Sequence, residues 1–279
     1  MKLEFKSFNA ENKYKVLNIS NLNNIFRDNL LIESVLVING TEELILYLIK
    51  VSFEENIGLS ILNTNDFKSD LKNILKFNFV TLLIPKDQLK DAFKNQEFKL
   101  INTLEIESKE YCLIELINLK SKLKYEKSII LFTSGSSGLR KPVKISHKSM
   151  LDCANFMADS MLMNQYDKEI IYAQLDHAFA IGRILSCAIK GSSFCFWDSK
   201  KMLRPTSIEK IMSIPGLNGF SSMPSVLFSI LSINRYASYF AKSLKYVQMG
   251  AMYLPAERKN FILNKLPGSR IFVHYGMTE

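Results

Sequence analysis

Ile130-Leu-Phe-Thr-Ser-Gly-Ser-Ser-Gly-Leu-Arg-Lys-Pro-Val-Lys-Ile-Ser-His147 is the most informative stretch of the chain. The run Ser128 to Thr133 predicts a strand. It feeds a loop, Ser134 to Pro142, dense in Ser, Thr and Gly, and Val143 to Ser146 returns as a second strand. Glycines let backbone N–H groups come close to an anion. Successive N–H groups in such a turn form an anion-binding nest. The hydroxyls of Thr133, Ser134, Ser136 and Ser137 add donors around Gly135 and Gly138, and Lys141 adds a positive charge. A Walker loop needs G-x-x-x-x-G-K-[ST] opening a helix. Here Gly135 and Gly138 stand too close and no Gly-Lys pair follows, which disfavours a P-loop kinase or GTPase. A plain surface turn would share the Ser/Gly richness; the ordered Thr-Ser-Gly-Ser-Ser-Gly-x-x-Lys string is more specific.

Outward from this loop, short apolar runs alternate with helical periodicity. Upstream, Leu31 to Ile38, Ile57 to Leu62, Phe79 to Ile84, Phe98 to Ile106 and Tyr111 to Leu119 read as strands, with helical spacing at Phe67, Leu71, Ile74 and Leu75. Thr41 is placed to cap a helix whose first turn holds Glu42 and Glu43. Downstream, helices are predicted over Lys148 to Met163, Ala180 to Ile189, Ser207 to Ser213, Val226 to Ile233 and Ala256 to Leu266. Strands are predicted over Ser192 to Trp197, Leu244 to Met249 and Arg270 to Val273. The alternation predicts an α/β fold, largely parallel β-sheets flanked by helices. The polar stretch Lys120 to Lys127 reads as a linker, which divides the chain into a first α/β subdomain, 1–127, and a second, 128–279.

The net charge of +9 admits nucleic acid, an anionic surface or small anions as partners. The lysines are scattered and do not interleave with aromatics, so a solvated charged surface is expected and no nucleic acid. Cys112, Cys153, Cys187 and Cys195 lack C-x-x-C spacing and read as buried small hydrophobes. The N-terminus has no apolar secretion segment, and no run reaches the roughly 18 apolar residues of a membrane span. A cytoplasmic protein is expected.

Four segments, in order, resemble the AMP-forming acyl- and aryl-CoA synthetase, luciferase and adenylation-domain superfamily. Thr133 to Lys141 is similar to its T-S-G-[ST]-T-G-x-P-K loop, with Arg140 for the usual Pro and Pro142 for the usual Gly. Gln174-Leu-Asp-His177-Ala-Phe-Ala-Ile-Gly182 resembles the L-P-x-x-H-x-x-G segment. Leu244 to Glu257 resembles L-R-x-x-x-x-G-G-A-P-L-x-x-E, with Ala251, Met252 and Tyr253 where Gly, Ala and Pro are usual. Tyr275-Gly-Met-Thr-Glu279 matches Y-G-x-T-E. The resemblance is clear from about Ser128 onward.

It implies the N-terminal large domain of an adenylate-forming enzyme: ATP-dependent activation of a carboxylic acid, with release of pyrophosphate and transfer to a thiol. The implied cofactors are ATP and Mg²⁺, and CoA or a carrier-protein thiol is the implied acceptor. By resemblance Thr133, Ser134, Gly135, Ser136, Ser137, Gly138 and Lys141 grip the β- and γ-phosphates. Gly250, Ala251, Met252 and Tyr253 wall the adenine opposite Tyr275, within the segment His274, Tyr275, Gly276, Met277 and Thr278. Thr278 bonds the α-phosphate, Glu279 holds the metal, and His177 and Phe179 border the acid pocket. The catalytic set is thus His177, Thr278 and Glu279. The family's later motifs, including the lid and its catalytic lysine, do not follow Glu279. A separately supplied lid domain or carrier protein is therefore an expected partner, and weak or no turnover is expected of the chain alone. The bulky Met252 points to a small acyl or aryl acid. The alternative reading is a non-catalytic module that binds a nucleotide or a partner protein.

Overall fold

The computed structural model describes residues 5–7, 34–64, 70, 79–93, 97–106, 108–117, 127–134, 140–198, 204–276 and 278. Its contacts divide the chain into two compact units, one built mainly from residues 17–149 and the other from 3–16 and 150–279. The helical spacing read at Phe67 to Leu75 falls almost wholly outside the described residues.

Among the described residues the first unit holds a seven-stranded sheet. Its strands are β2 (Ser34–Ile38), β3 (Gly58–Leu62), β4 (Thr81–Pro85), β5 (Phe98–Ile106), β6 (Lys109–Leu116), β7 (Ser128–Ser134) and β8 (Arg140–Ser146), in the order β5-β6-β4-β2-β3-β7-β8. The β4-β2-β3-β7 centre is parallel and both flanks are antiparallel. β2, β3 and β4 are almost unbroken apolar runs, as strands covered on both faces must be. One helix that covers the sheet, α1 (Glu42–Glu55), starts where the sequence places it: Thr41 Oγ1 accepts from the Leu44 N–H at 3.3 Å. It stops at Asn56, in the left-handed region at φ 59°, whose N–H donates to Ser52 O. A short helix absent from the sequence reading, α2 (Lys86–Ala92), follows Pro85. The linker-based division at 127/128 and the contact division after Ser149 differ by the β7–β8 hairpin. That hairpin stays with the first sheet because β7 pairs in parallel with β3.

His147 follows β8 directly and lies in this core. Its ring stacks on Phe53 with centroids 4.2 Å apart, and its Nε2 lies 2.9 Å from Ser52 Oγ. The Ser52 hydroxyl donates to Ile57 O, so Nε2–H is the donor to Ser52. Burial pushes the imidazole down from its ordinary 6.5 to about 4. The neutral ring is thus favoured by folding, and between these values the unfolded chain binds the extra proton. The His147 contribution is fully present above about pH 6.5 and is lost as pH falls toward 4, by up to about 3 kcal/mol. Denaturant titrations at several pH values should show this slope in the native chain and lose it in His147→Gln; an unchanged slope would contradict the assignment.

Among the described residues the second unit holds a six-stranded sheet, all parallel, in the order β1-β10-β9-β11-β12-β13. Its strands are β1 (Lys6–Ser7), β9 (Lys168–Ala173), β10 (Ser193–Asp198), β11 (Gly219–Ser222), β12 (Tyr246–Met249) and β13 (Arg270–Val273). Between them run α3 (His147–Ser160, most of it in this unit), α4 (Ala178–Lys190), α5 (Pro205–Met212), α6 (Pro224–Leu231), α7 (Asn234–Ser243) and α8 (Ala256–Lys265). α4 ends on Gly191 at φ 64°, a left-handed cap that suits glycine. Strand side chains alternate between faces. Ile170, Phe220, Val247 and Ile271 pack with α5 to α8, while Glu169, Ser221 and Tyr246 turn to the α4 side. Cys112, Cys187 and Cys195 are buried as expected, but Cys153 is exposed, because it falls on the outer face of α3. No helix among the described residues is long and apolar enough to cross a membrane.

Candidate functional site

In the first unit the phosphate-loop segment is a hairpin tighter than the sequence suggests. β7 runs on to Ser134 and β8 returns at Arg140, with Thr133 paired to Lys141 and Phe132 to Pro142. Arg140, Lys141 and Pro142 therefore belong to a strand rather than to the loop. β8 is the edge strand, where a residue without an N–H is tolerated. Lys141 is exposed and Thr133 half-buried. Gly135, Ser136, Ser137 and Gly138 lie outside the described residues, and Ser134 is described by its backbone alone.

In the second unit three of the recognised segments emerge from the same edge of one sheet. Gln174 to His177 follows β9, Gly250 to Tyr253 follows β12, and His274 to Thr278 follows β13. All three strands are parallel, so these are carboxyl ends, and ligands of open parallel sheets bind there. The sheet also reverses its winding here: β9 leads by way of α4 to β10 on one side, and the chain then crosses back to β11 on the other.

Backbone and packing fix this edge. The Gly250 N–H donates to Ser222 O at 3.3 Å, and the His274 N–H to Met249 O at 2.7 Å. A Cβ added to Gly250 would lie 3.0 Å from the Phe179 ring and 3.6 Å from His274 Cβ, so only a bare α-carbon lets α4 come this close. Ala251 sits at φ 66°. The family's second glycine falls at this position, and the left-handed backbone is the physical reason. Met252 and Tyr253 are exposed; Tyr275 is 99% exposed, its ring free on both faces for a planar partner. His177 caps α4 by position but makes no side-chain cap bond, and its side chain is exposed. His274 is half-buried, with its imidazole pushed down by burial and by the Arg183 charge. Thr278 is half-buried; Met277 and Glu279 lie outside the described residues. An apolar pocket of about 350 Å³, lined by Tyr172, Ile208, Val226, Ile230, Ile233 and Tyr236, lies on the sheet face opposite α4.

Behind the edge is a charged cluster that the sequence reading missed. Glu169 of β9 takes a bidentate contact from Arg183 of α4, Nε to Oε1 at 2.9 Å and Nη2 to Oε2 at 2.5 Å, with both side chains fully buried. Ser221 of β11 donates to Oε1 at 2.5 Å and Tyr246 of β12 to Oε2 at 2.8 Å. Two more guanidinium N–H groups meet the sulfurs of Met161 and Met163. Burial works against the Arg183 charge, but the Glu169 carboxylate outweighs it and holds the guanidinium firmly protonated. Burial, then Glu169, pushes the Cys187 thiol and the Tyr246 phenol up, so both stay neutral. The available signal was one Arg inside the apolar helix AFAIGRILSCAIK and one Glu inside the apolar strand KEIIYA.

A model of the AMP-binding enzyme family matches residues 82–279. The acyl-CoA ligase SID4 of Ajellomyces capsulatus is 25% identical over 153 residues, 53% of this chain and 25% of its own length. The D-alanine–D-alanyl carrier protein ligase of Staphylococcus haemolyticus is 22% identical over 149 residues, 53% of this chain and 31% of its own. This chain thus spans a minor part of the curated relatives it matches. The solved structure of CmiS6 superposes with a TM-score of 0.75 at 13% identity, over 98% of this chain and 67% of that one. The N-terminal subdomain of Klebsiella oxytoca NpsA gives 0.69 at 13% identity, over all of this chain and 69% of that one. Such identities establish the fold alone. The family model, which covers most of the sequence, establishes more: this chain belongs to the family of AMP-binding enzymes.

Proposed function

We propose that this chain supplies the nucleotide- and acid-binding part of an enzyme that joins a carboxylic acid to AMP, releases pyrophosphate and passes the acyl group to a CoA or carrier-protein thiol. The observation that carries the reading is the emergence of three recognised segments at the carboxyl edge of one parallel sheet, where Gly250, Phe179 and His274 close on one another.

The chemical obstacle is the meeting of two anions. Unit like charges 4 Å apart repel by about 4 kcal/mol at an effective dielectric of 20. Cations and N–H groups must offset this, above all in the transition state. In the first unit Lys141 and the loop 133–138 hold the β- and γ-phosphates and stabilise departing pyrophosphate. In the second, Tyr275 and Gly250 to Tyr253 hold the adenine, and Thr278 bonds the α-phosphate. His177 borders the acid at the N-terminus of α4, where the helix dipole favours a carboxylate. Magnesium, when bound, neutralises phosphate charge. Glu279 would hold the ion together with phosphate oxygens, as the resemblance implies.

Calorimetric titration with ATP and Mg²⁺, with GTP as control, tests the reading. ATP-selective binding is expected, weakened about 100-fold in the Lys141→Ala, Thr278→Ala double variant. Equal affinity for GTP, or no loss in the variant, would overturn it. Arg140, Pro142 and Met252, which depart from the family pattern, favour a second reading as a non-catalytic nucleotide- or partner-binding module. ATP binding without pyrophosphate exchange, even when a lid domain is supplied, selects that one.

A further inference from the structure

The apolar pocket on the sheet face opposite α4 lies outside the segments assigned to nucleotide and acid. At about 350 Å³ it stands at the lower end of small-molecule sites. Tyr172 comes from β9, Ile208 from α5, and Val226 and Ile230 from α6. Ile233 and Tyr236 come from the corner into α7 and its first turn. Ile208, Ile230 and Tyr236 are buried, while Ile233 is 48% exposed and marks the mouth. The helices around the pocket are braced to each other. Arg235 Nη1 of α7 lies 3.0 Å from Glu209 Oε1 of α5, and the Tyr239 hydroxyl of α7 donates to Met212 O of α5. The space is therefore held open by the fold, as ligand pockets usually are.

Its chemistry is one-sided. None of the described residues that line it carries a charge. Tyr236 is only 4% exposed, and among the described residues its hydroxyl enters no hydrogen bond. Trp197 stands across from Tyr172 on the neighbouring strand β10, so both side chains take the same sheet face, and its buried Nε1–H has no acceptor either. Buried polar groups are as a rule paired. Here two donors on one face of the sheet go without an acceptor beside a cavity that apolar side chains leave unfilled.

We propose that this pocket is a second ligand site, separate from the nucleotide edge. The ligand class is a small, uncharged ring compound that carries a hydrogen-bond acceptor such as an ester or ketone oxygen. The ring fills the space between Ile208, Val226 and Ile230, and the acceptor takes the Tyr236 hydroxyl. A carboxylate is disfavoured, because no cation lines the pocket to offset the loss of its water.

The test uses methyl benzoate and toluene as probes of the purified chain, titrated by ligand-observed NMR. Emission from Trp197, the only tryptophan of the chain, is the local readout. A Kd of about 1 mM or better is expected for methyl benzoate, which is realistic for so small a molecule. Tyr236→Phe removes one oxygen. It is expected to weaken methyl benzoate about fivefold, the factor of one hydrogen bond, and to leave toluene unchanged. Val226→Phe fills the pocket and is expected to abolish both. Failure of methyl benzoate to bind, binding that survives Val226→Phe, or displacement by ATP overturns the proposal. So does a Tyr236→Phe variant that binds methyl benzoate as the native chain does, or that loses both probes equally. The conservative Tyr236→Phe comparison decides the matter even if Val226→Phe fails to fold.

Discussion

Arg183→Met is expected to destabilise the folded chain by about 3–5 kcal/mol, the range for breaking a buried ion pair by removing one partner. Methionine nearly matches arginine's apolar stem, so lost packing is a minor part of the change. The damage comes from Glu169, which keeps the Ser221 and Tyr246 hydroxyls but loses its only countercharge among the described residues, with no water access. The double variant Glu169→Leu, Arg183→Met removes both charges. It is expected to be clearly more stable than Arg183→Met alone, because replacing both partners by apolar groups leaves no buried charge. Chemical denaturation of the native chain, Arg183→Met, Glu169→Leu and the double variant measures this directly. A double variant at the simple sum of the two single losses would show that the pair is not coupled.

Gly219→Ala is expected to cost a similar amount for a reason that looks unrelated in the sequence. Gly219 pairs with Tyr246 across β11 and β12, and an added Cβ would lie 2.4 Å from the Tyr246 Cζ and 2.5 Å from its hydroxyl oxygen. These atoms belong to a ring that is itself buried, so the methyl must displace the phenol from Glu169. Overpacking of this kind costs about 1–3 kcal/mol, and losing a hydrogen bond to a charged group adds about 1.5–3 kcal/mol. The same substitution made in a Tyr246→Leu background should be far milder. A full penalty in that background would show that the clash with Tyr246 is not the cause. Both perturbations act behind the carboxyl edge, on the strands that present Gly250 and on the helix that presents His177. Weaker nucleotide binding should accompany them.

The four motifs could be read directly because their chemistry is local. Glycine spacing, hydroxyl density and a lysine in register depend on neighbours a few residues away, and they still mark the second-unit segments at the sheet edge. The helix cap at Thr41 was equally local, set by capping chemistry, and the runs Phe98 to Ile106 and Arg270 to Val273 were legible as strands. Short strands were harder. Gly219–Ser222 has a single large apolar residue and no readable period, and it is a strand only because β9 and β12 flank it. The ends of the phosphate hairpin were misjudged because the pairing of Ser134 with Arg140 decides them, and polarity does not reveal pairing. Cys153 was misjudged because apolar neighbours in sequence do not say which face of a helix a residue takes.

The sequence by itself determined the class of fold, the alternation of strands and helices, and the segments that carry the nucleotide chemistry. Each of these rests on interactions within a strand, a turn or one helical period. Only the tertiary structure decided that Glu169 and Arg183 form a pair and that Ser221 and Tyr246, 52 and 77 residues from Glu169, complete it. Those outcomes depend on which strands become neighbours and which side of the sheet each residue faces. In a parallel sheet every neighbour is reached through a crossover, so adjacency in space has no fixed distance along the chain.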